Sequence, residues 1–328
     1  DIAFAKDKNI SHVTSFRFAS NTLFENSFSE LDEDNGIVDW HKNEILKLLE
    51  EKNLMDLIRV FNSPNNTKPA NMASFLFGLK DNTIPQRAGV NVKAIDFNYI
   101  LQEDEDFKIV FIIFYTAIVY HIAQIVKSLN LEVPRHISFS GNGSKVIRVI
   151  TTDSKLLARY TKMVFEKLLG KPYGKELDLL GLEKDSNPKE STCKGGIIGT
   201  EDEDNRDKTI VFKSDCTGLV TPKDTYANIK DDYKRRTVTA VEDFFKFVLV
   251  DMNSAFNFDK NFGVKPSSIR IAQEMAKKDL LTFLEKGISQ RCEETEAEDM
   301  IEETFFYYPI KGVLNAISAE IYNELQQS

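Results

Sequence analysis

The stretch Ile137 to Ile150, ISFSGNGSKVIRVI, carries the reading of this chain. Ile137 to Ser140, preceded by His136, reads as a short strand. It runs into Gly141-Asn142-Gly143-Ser144, and a helix can begin at Ser144. Glycines in such a turn let a ligand approach the backbone, and the first amides of a helix are free to donate hydrogen bonds. A tight connection between strand and helix gives the same pattern, so this turn by itself leaves both readings open.

Upstream lies Ile109 to Val126, IVFIIFYTAIVYHIAQIV, without a formal charge. It is on the edge of a membrane-spanning length. Thr116, His121 and Gln124 interrupt it, and Glu103 to Asp106 precede it without flanking positive charge. A helix buried on all sides of a soluble domain is the favoured reading. Downstream, Leu157, Tyr160, Val164 and Leu168 form one stripe of a helix over Ser154 to Leu169, capped by Ser154 and ended by Gly170. Leu177 to Leu182 follows as a buried strand. The N-terminus predicts a hairpin, Ile2 to Ala5 and His12 to Ser20 around a polar turn. Apolar spacing predicts a helix running from Ile45 to Phe61, then a short apolar piece at Phe75 to Leu79 and a loop over Thr83 to Asn91.

A second informative element is Asn187-Pro188-Lys189-Glu190, followed by Lys194-Gly195-Gly196. Asn187 suits an N-cap, Pro188 the first helical position, and Glu190 a capping box. Two glycines two turns into a helix cost about 1 kcal/mol each relative to Ala. They imply either a close approach by a ligand or backbone, or simply the helix end.

Beyond Thr209 the pattern changes. Thr209 to Lys213 reads as a strand, and helices follow from about Thr237, from Ser268 to Glu285 and from Ile310 to Leu325. The acidic run Glu293 to Glu303 reads as a solvated helix face, and Lys234-Arg235-Arg236 as a helix start on a solvated surface.

Composition narrows the classes. The chain has 328 residues, 42% apolar and 28% charged, with a net charge of −9. This is a soluble globular make-up, large enough for a core without staples. An acidic chain repels phosphate backbones, so nucleic acid is not an expected partner. Cys193, Cys216 and Cys292 are odd in number and dispersed, which predicts free thiols in a reducing compartment. His12, His41, His121 and His136 are scattered without a metal-ligand spacing, and no metal site or catalytic residue is expected.

The order of elements resembles the second half of the actin-like ATPase superfamily, which includes actin, heat-shock chaperone ATPases and sugar kinases: a long apolar helix, a strand ending in Gly-x-Gly-Ser, a helix, a strand, then Asn-Pro-x-Glu leading to a Gly pair. Asp1-Ile2-Ala3-Phe4 fits the last Asp of that family's second phosphate loop and the strand after it. Asn142 stands where the family usually has Gly. The resemblance covers about residues 1–200 and implies an α/β fold. That fold is an actin-like, ribonuclease H-like lobe over 1–200 with a central mixed sheet flanked by helices and an insertion at about 35–95; residues 201–328, largely helical by their apolar spacing, match nothing in the family. It further implies that Gly141, Asn142, Gly143, Ser144 and Lys145 lie on the adenosine side of a nucleotide cleft, with Lys194 and Gly195 on the opposite wall. ATP and Mg would bind the full-length protein and not this piece alone, whose partner would be a missing N-terminal lobe. Any ATPase or phosphotransferase activity would then belong to the full-length, cytoplasmic protein, without a membrane span. The alternative is a non-catalytic scaffold on a degenerate actin-like fold, with a protein partner on its helical C-terminal region.

Overall fold

A computed structural model describes residues 2–6, 9–14, 16–28, 35–62, 69–182, 210–212, 224–301 and 303–327. Its strands are β1 (Ile2–Lys6), β2 (Asn9–Thr14), β3 (His136–Ser138), β4 (Asp178–Leu180) and β5 (Ile210–Phe212). The first half holds helices α1 (Gly36–Glu51), α2 (Met55–Phe61), α3 (Pro69–Gly78), α4 (Thr83–Arg87), α5 (Phe97–Glu103), α6 (Lys108–Ser128) and α7 (Ser154–Leu169). The second half holds α8 (Asp231–Lys246), α9 (Asn253–Phe256), α10 (Phe258–Phe262), α11 (Pro266–Met275), α12 (Leu280–Glu294) and α13 (Tyr307–Gln327). A π-helical segment, Phe247–Met252, joins α8 to α9.

The protein is mostly helical, which corrects the expectation of an α/β actin-like lobe built on a central mixed sheet. Among the described residues the strands form two small sheets. In one, β1 pairs with β2 antiparallel and β2 with β5 parallel. In the other, β3 and β4 pair in parallel, Ile137 opposite Leu179. The β3–β4 pair is not a core layer. The strand at residues 136–138 is exposed or half-buried along its length, not interior, and in β4 only Leu179 is buried. With three residues each, β3 and β4 present too little apolar surface to seat helices on two faces. Helices pack on helices instead.

The centre of that packing is α6. Sixteen of its residues are buried, because neighbours surround it on all sides. It is long and apolar enough to cross a bilayer, yet 83% of its apolar window lies inside the protein. Two of its buried polar groups are matched by α7: the Tyr115 and Thr161 hydroxyls lie 2.7 Å apart, those of Thr116 and Tyr160 2.6 Å. Buried hydroxyls left alone would each cost roughly 1–3 kcal/mol, so this pairing fixes the α6–α7 register. Phe256, Phe258 and Phe262 meet the Tyr160 ring edge-on. On the opposite side the Tyr307 ring of α13 stacks on Phe16 and Phe18 and approaches His121 of α6. One continuous core therefore runs from Phe18 to Ile321.

Local chemistry sets the helix ends. Asn35 caps α1 by accepting from the Val38 amide. Asp153, not Ser154, caps α7, its carboxylate accepting from the amides of Lys155 and Leu156. Gly170 ends α7 in the left-handed conformation, as the sequence predicts. The helix expected over residues 45–61 divides into α1 and α2 at Asn53, whose φ is +55°. The one expected over 268–285 divides into α11 and α12 at Asp279, whose φ is +56°. Residues 83–87, read as loop, form α4 with Asn82 as its cap. The acidic run is not one helix face: α12 stops at Glu294, and Glu303 is buried beyond it.

Candidate functional site

The Gly141 turn sits at the C-terminal ends of the parallel pair β3 and β4. Gly141 has φ 82° and ψ 154°, a conformation open in practice to glycine alone. Asn142 begins a 3-10 helix, Asn142–Val149, two residues earlier than the sequence suggested. Ser144 closes the turn: its amide and its hydroxyl both donate to the Gly141 carbonyl, at 3.1 and 2.8 Å. Val146, Ile147, Val149 and Ile150 anchor the helix in the core, while Gly143 and Lys145 face solvent.

Two neighbouring glycines are closely approached as well, Gly143 by a side chain and Gly181 by backbone. A methyl group on Gly143 would come within 2.4 Å of the Ser20 hydroxyl oxygen, at the start of the 3-10 turn Ser20–Leu23. One on Gly181, just past β4, would come within 2.2 Å of the Phe139 carbonyl. Of the residues expected to line a nucleotide cleft, the structure thus brings Gly141, Asn142, Gly143, Ser144 and Lys145 together on one turn. Lys194, Gly195 and the Asn187 helix start lie outside the described residues, as do Asp1, Cys193 and Cys216. Cys292 is a free, exposed thiol.

Three of the histidines, His41, His121 and His136, serve packing or local pairing. His41 is buried with its Nε2 3.1 Å from an Asp104 oxygen; the other Asp104 oxygen accepts from the amides of Asp106 and Phe107 at the start of α6. His121 lies among Phe16, Phe306 and Tyr307. His136 is exposed, 3.3 Å from Asp178 across the β3–β4 pair. No group of three or more His, Cys, Asp or Glu poised to hold a metal ion occurs among the described residues.

A second polar centre, missed in the sequence, surrounds Glu303. Its carboxylate accepts from the Tyr226 hydroxyl at 3.3 Å and lies 2.7 Å from Arg291 Nε. Arg291 also reaches Glu294 at 3.3 Å, and Arg17 pairs with the same Glu294 oxygen. Burial pushes the Tyr226 and Tyr308 phenols up, and the Glu303 charge adds to it. Burial also lowers the Lys311 ammonium, an effect only partly offset by Glu303 and Glu25. Burial raises the Glu294 carboxyl, but Arg17 and Arg291 more than offset that and hold it below the usual carboxylate range. The signal for this centre was Arg291 beside an acidic run. Nothing local distinguishes Glu303 from the solvated acids around it.

No protein-family model, no curated protein and no solved structure matches this chain.

Proposed function

We propose that the Gly141–Lys145 turn is the base-side wall of a purine-nucleotide site, serving ATP with magnesium in the intact protein. The proposal rests on the turn and not on the lobe first expected around it. The observation that carries it is the Gly141 conformation at the C-terminal end of β3, because strained, glycine-only backbone concentrates where something must approach closely. Gly143 and Lys145 are both exposed there, so a planar base can lie against backbone with a cation beside it. The sequence resemblance points to the same five residues.

This turn offers stacking and a few amides, and no phosphate cradle. Most affinity for a triphosphate comes from charge-assisted hydrogen bonds, about twice as strong as neutral ones. Strong binding therefore needs groups beyond this turn, and catalysis of phosphoryl transfer would rest on them as well.

The test is calorimetric titration of ATP–Mg into the intact protein and its Gly143→Val variant, with circular dichroism as the folding control. Gly143 faces the end of a flexible serine side chain, so the variant is expected to fold. Loss of ATP binding in a folded variant supports the site. Unchanged affinity removes the turn from it, and absence of binding by the wild-type protein leaves the helical scaffold reading.

A further inference from the structure

A cleft of about 430 Å³ opens between the Phe16–Arg17 segment, the end of α12 and the loop leading to Glu303. That is the size of a small-molecule site, for which about 300–1,000 Å³ is typical. It is lined by two guanidinium groups, Arg17 and Arg291, two carboxylates, Asp299 and Glu303, and the apolar side chains of Phe16 and Met300.

The inner pair is fixed. Glu303 is buried and held by Arg291 and Tyr226, and the Arg291 guanidinium lies over the Tyr226 ring, 5.9 Å from its centroid. The outer pair has capacity left. The Arg17 side chain is 53% exposed, and the Glu294 carboxylate it meets is shared with Arg291. Asp299 is exposed and accepts one backbone amide, that of Glu296, at 3.1 Å.

With Glu303 held by Arg291, the charges left to meet a ligand are Arg17, whose Glu294 partner is shared with Arg291, and Asp299, one of each sign. A ligand carrying both signs can meet both. We infer that the cleft binds a free α-amino acid with an apolar side chain. Its carboxylate would rest on Arg17, its ammonium on Asp299, and its side chain against Phe16 and Met300. The planar guanidinium fork suits a carboxylate, and Met adapts to apolar groups of varied shape. The inference is independent of the nucleotide reading, since none of these residues belongs to the Gly141 turn.

Calorimetric titration of the intact protein with leucine, methionine and phenylalanine tests it, each beside its amine lacking the carboxylate and its acid lacking the ammonium. At least one amino acid should bind saturably. Loss of either charge should weaken binding about tenfold or more, the usual worth of a hydrogen bond to a charged group. Arg17→Met should weaken the amino acid and leave the amine unaffected. Asp299→Asn should weaken the amino acid and leave the acid unaffected. Both positions are exposed, so circular dichroism should be unchanged. No saturable binding, equal binding of a singly charged analogue, or indifference to both substitutions would overturn the inference. Equal binding of a peptide ending in the same residue would replace the free amino acid by a chain terminus.

Discussion

Gly36 is the first residue of α1, and it lies against the backbone of α13. A methyl group there would stand 2.1 Å from the Ser318 carbonyl oxygen, 2.5 Å from its carbon and 2.9 Å from the Ala319 nitrogen. Ordinary van der Waals contact begins roughly 1.3 Å farther out than the first of these. No side chain can rotate aside, because every clashing atom is helix backbone, and Ser318 is fully buried. The helices must separate, and α1 buries Ile37, Val38, Ile45 and Leu49 in the same core. Overpacking costs typically 1–3 kcal/mol, and rigid neighbours put this case near about 3. Replacing Gly by Ala in a helix returns at most about 1 kcal/mol. Gly36→Ala should therefore destabilise the protein by about 2 kcal/mol. Gly78→Ala is the control: no atom lies within 4 Å of the added methyl and φ is −84°, so it should stabilise by about 0.4–1 kcal/mol. Urea unfolding followed by circular dichroism measures both as shifted midpoints at unchanged slope. A Gly36→Ala protein as stable as wild type would refute the packing of α1 on α13.

Two further predictions concern buried polar groups. Tyr115 and Tyr160 are fully buried, and burial first of all raises both phenols despite their hydroxyl partners. The neutral form is thus favoured by folding, so the stabilisation is complete below the unfolded value of about 10 and declines as pH rises above it. Tyrosinate absorbance should show these two groups ionising only together with unfolding. Arg291→Leu should cost about 2–4 kcal/mol by stranding the Glu303 carboxylate, whereas Arg291→Leu/Glu303→Leu should cost less than the single change. Chemical denaturation of the three variants checks this, and additive costs would argue against a coupled pair.

Some of this structure was legible in the sequence because local chemistry decides it. A run without charge, from Ile109 to Val126, can only be a helix covered on all sides or a membrane span, and its polar interruptions favoured the former. Gly170 and the apolar spacing from Ile310 to Leu325 marked real helix features. The strands at residues 136–138, 178–180 and 210–212 were also placed nearly where they occur. What the sequence did not reveal is how many strands join them, since pairing is a long-range property and a three-residue strand carries no record of its neighbours. The sheet inferred from element order was therefore too large. The Glu303 centre was hidden for a similar reason: Tyr226, Arg291 and Arg17 approach it from distant parts of the chain, and in the sequence Glu303 is one acid among several from Glu293 onward.

The six-residue π segment inside the rod from Asp231 to Phe256 has a consequence for how this chain tolerates a change of length. A wider helical turn accommodates one more residue than a normal one, and it leaves a carbonyl poorly matched within its own ladder. Here the Gln273 side chain amide, on α11, donates to the Leu249 carbonyl of the segment at 3.1 Å. Excising the exposed Val250 would let the segment rewind as ordinary α-helix, with Gln273 deprived of its acceptor. Inserting a residue elsewhere in the rod would have no such outlet and would turn Val241, Phe244 and Phe245 away from the core by about 100°. The rod is in effect a spring with one loose coil, able to shorten by one residue at that coil and intolerant of any change of phase beyond it.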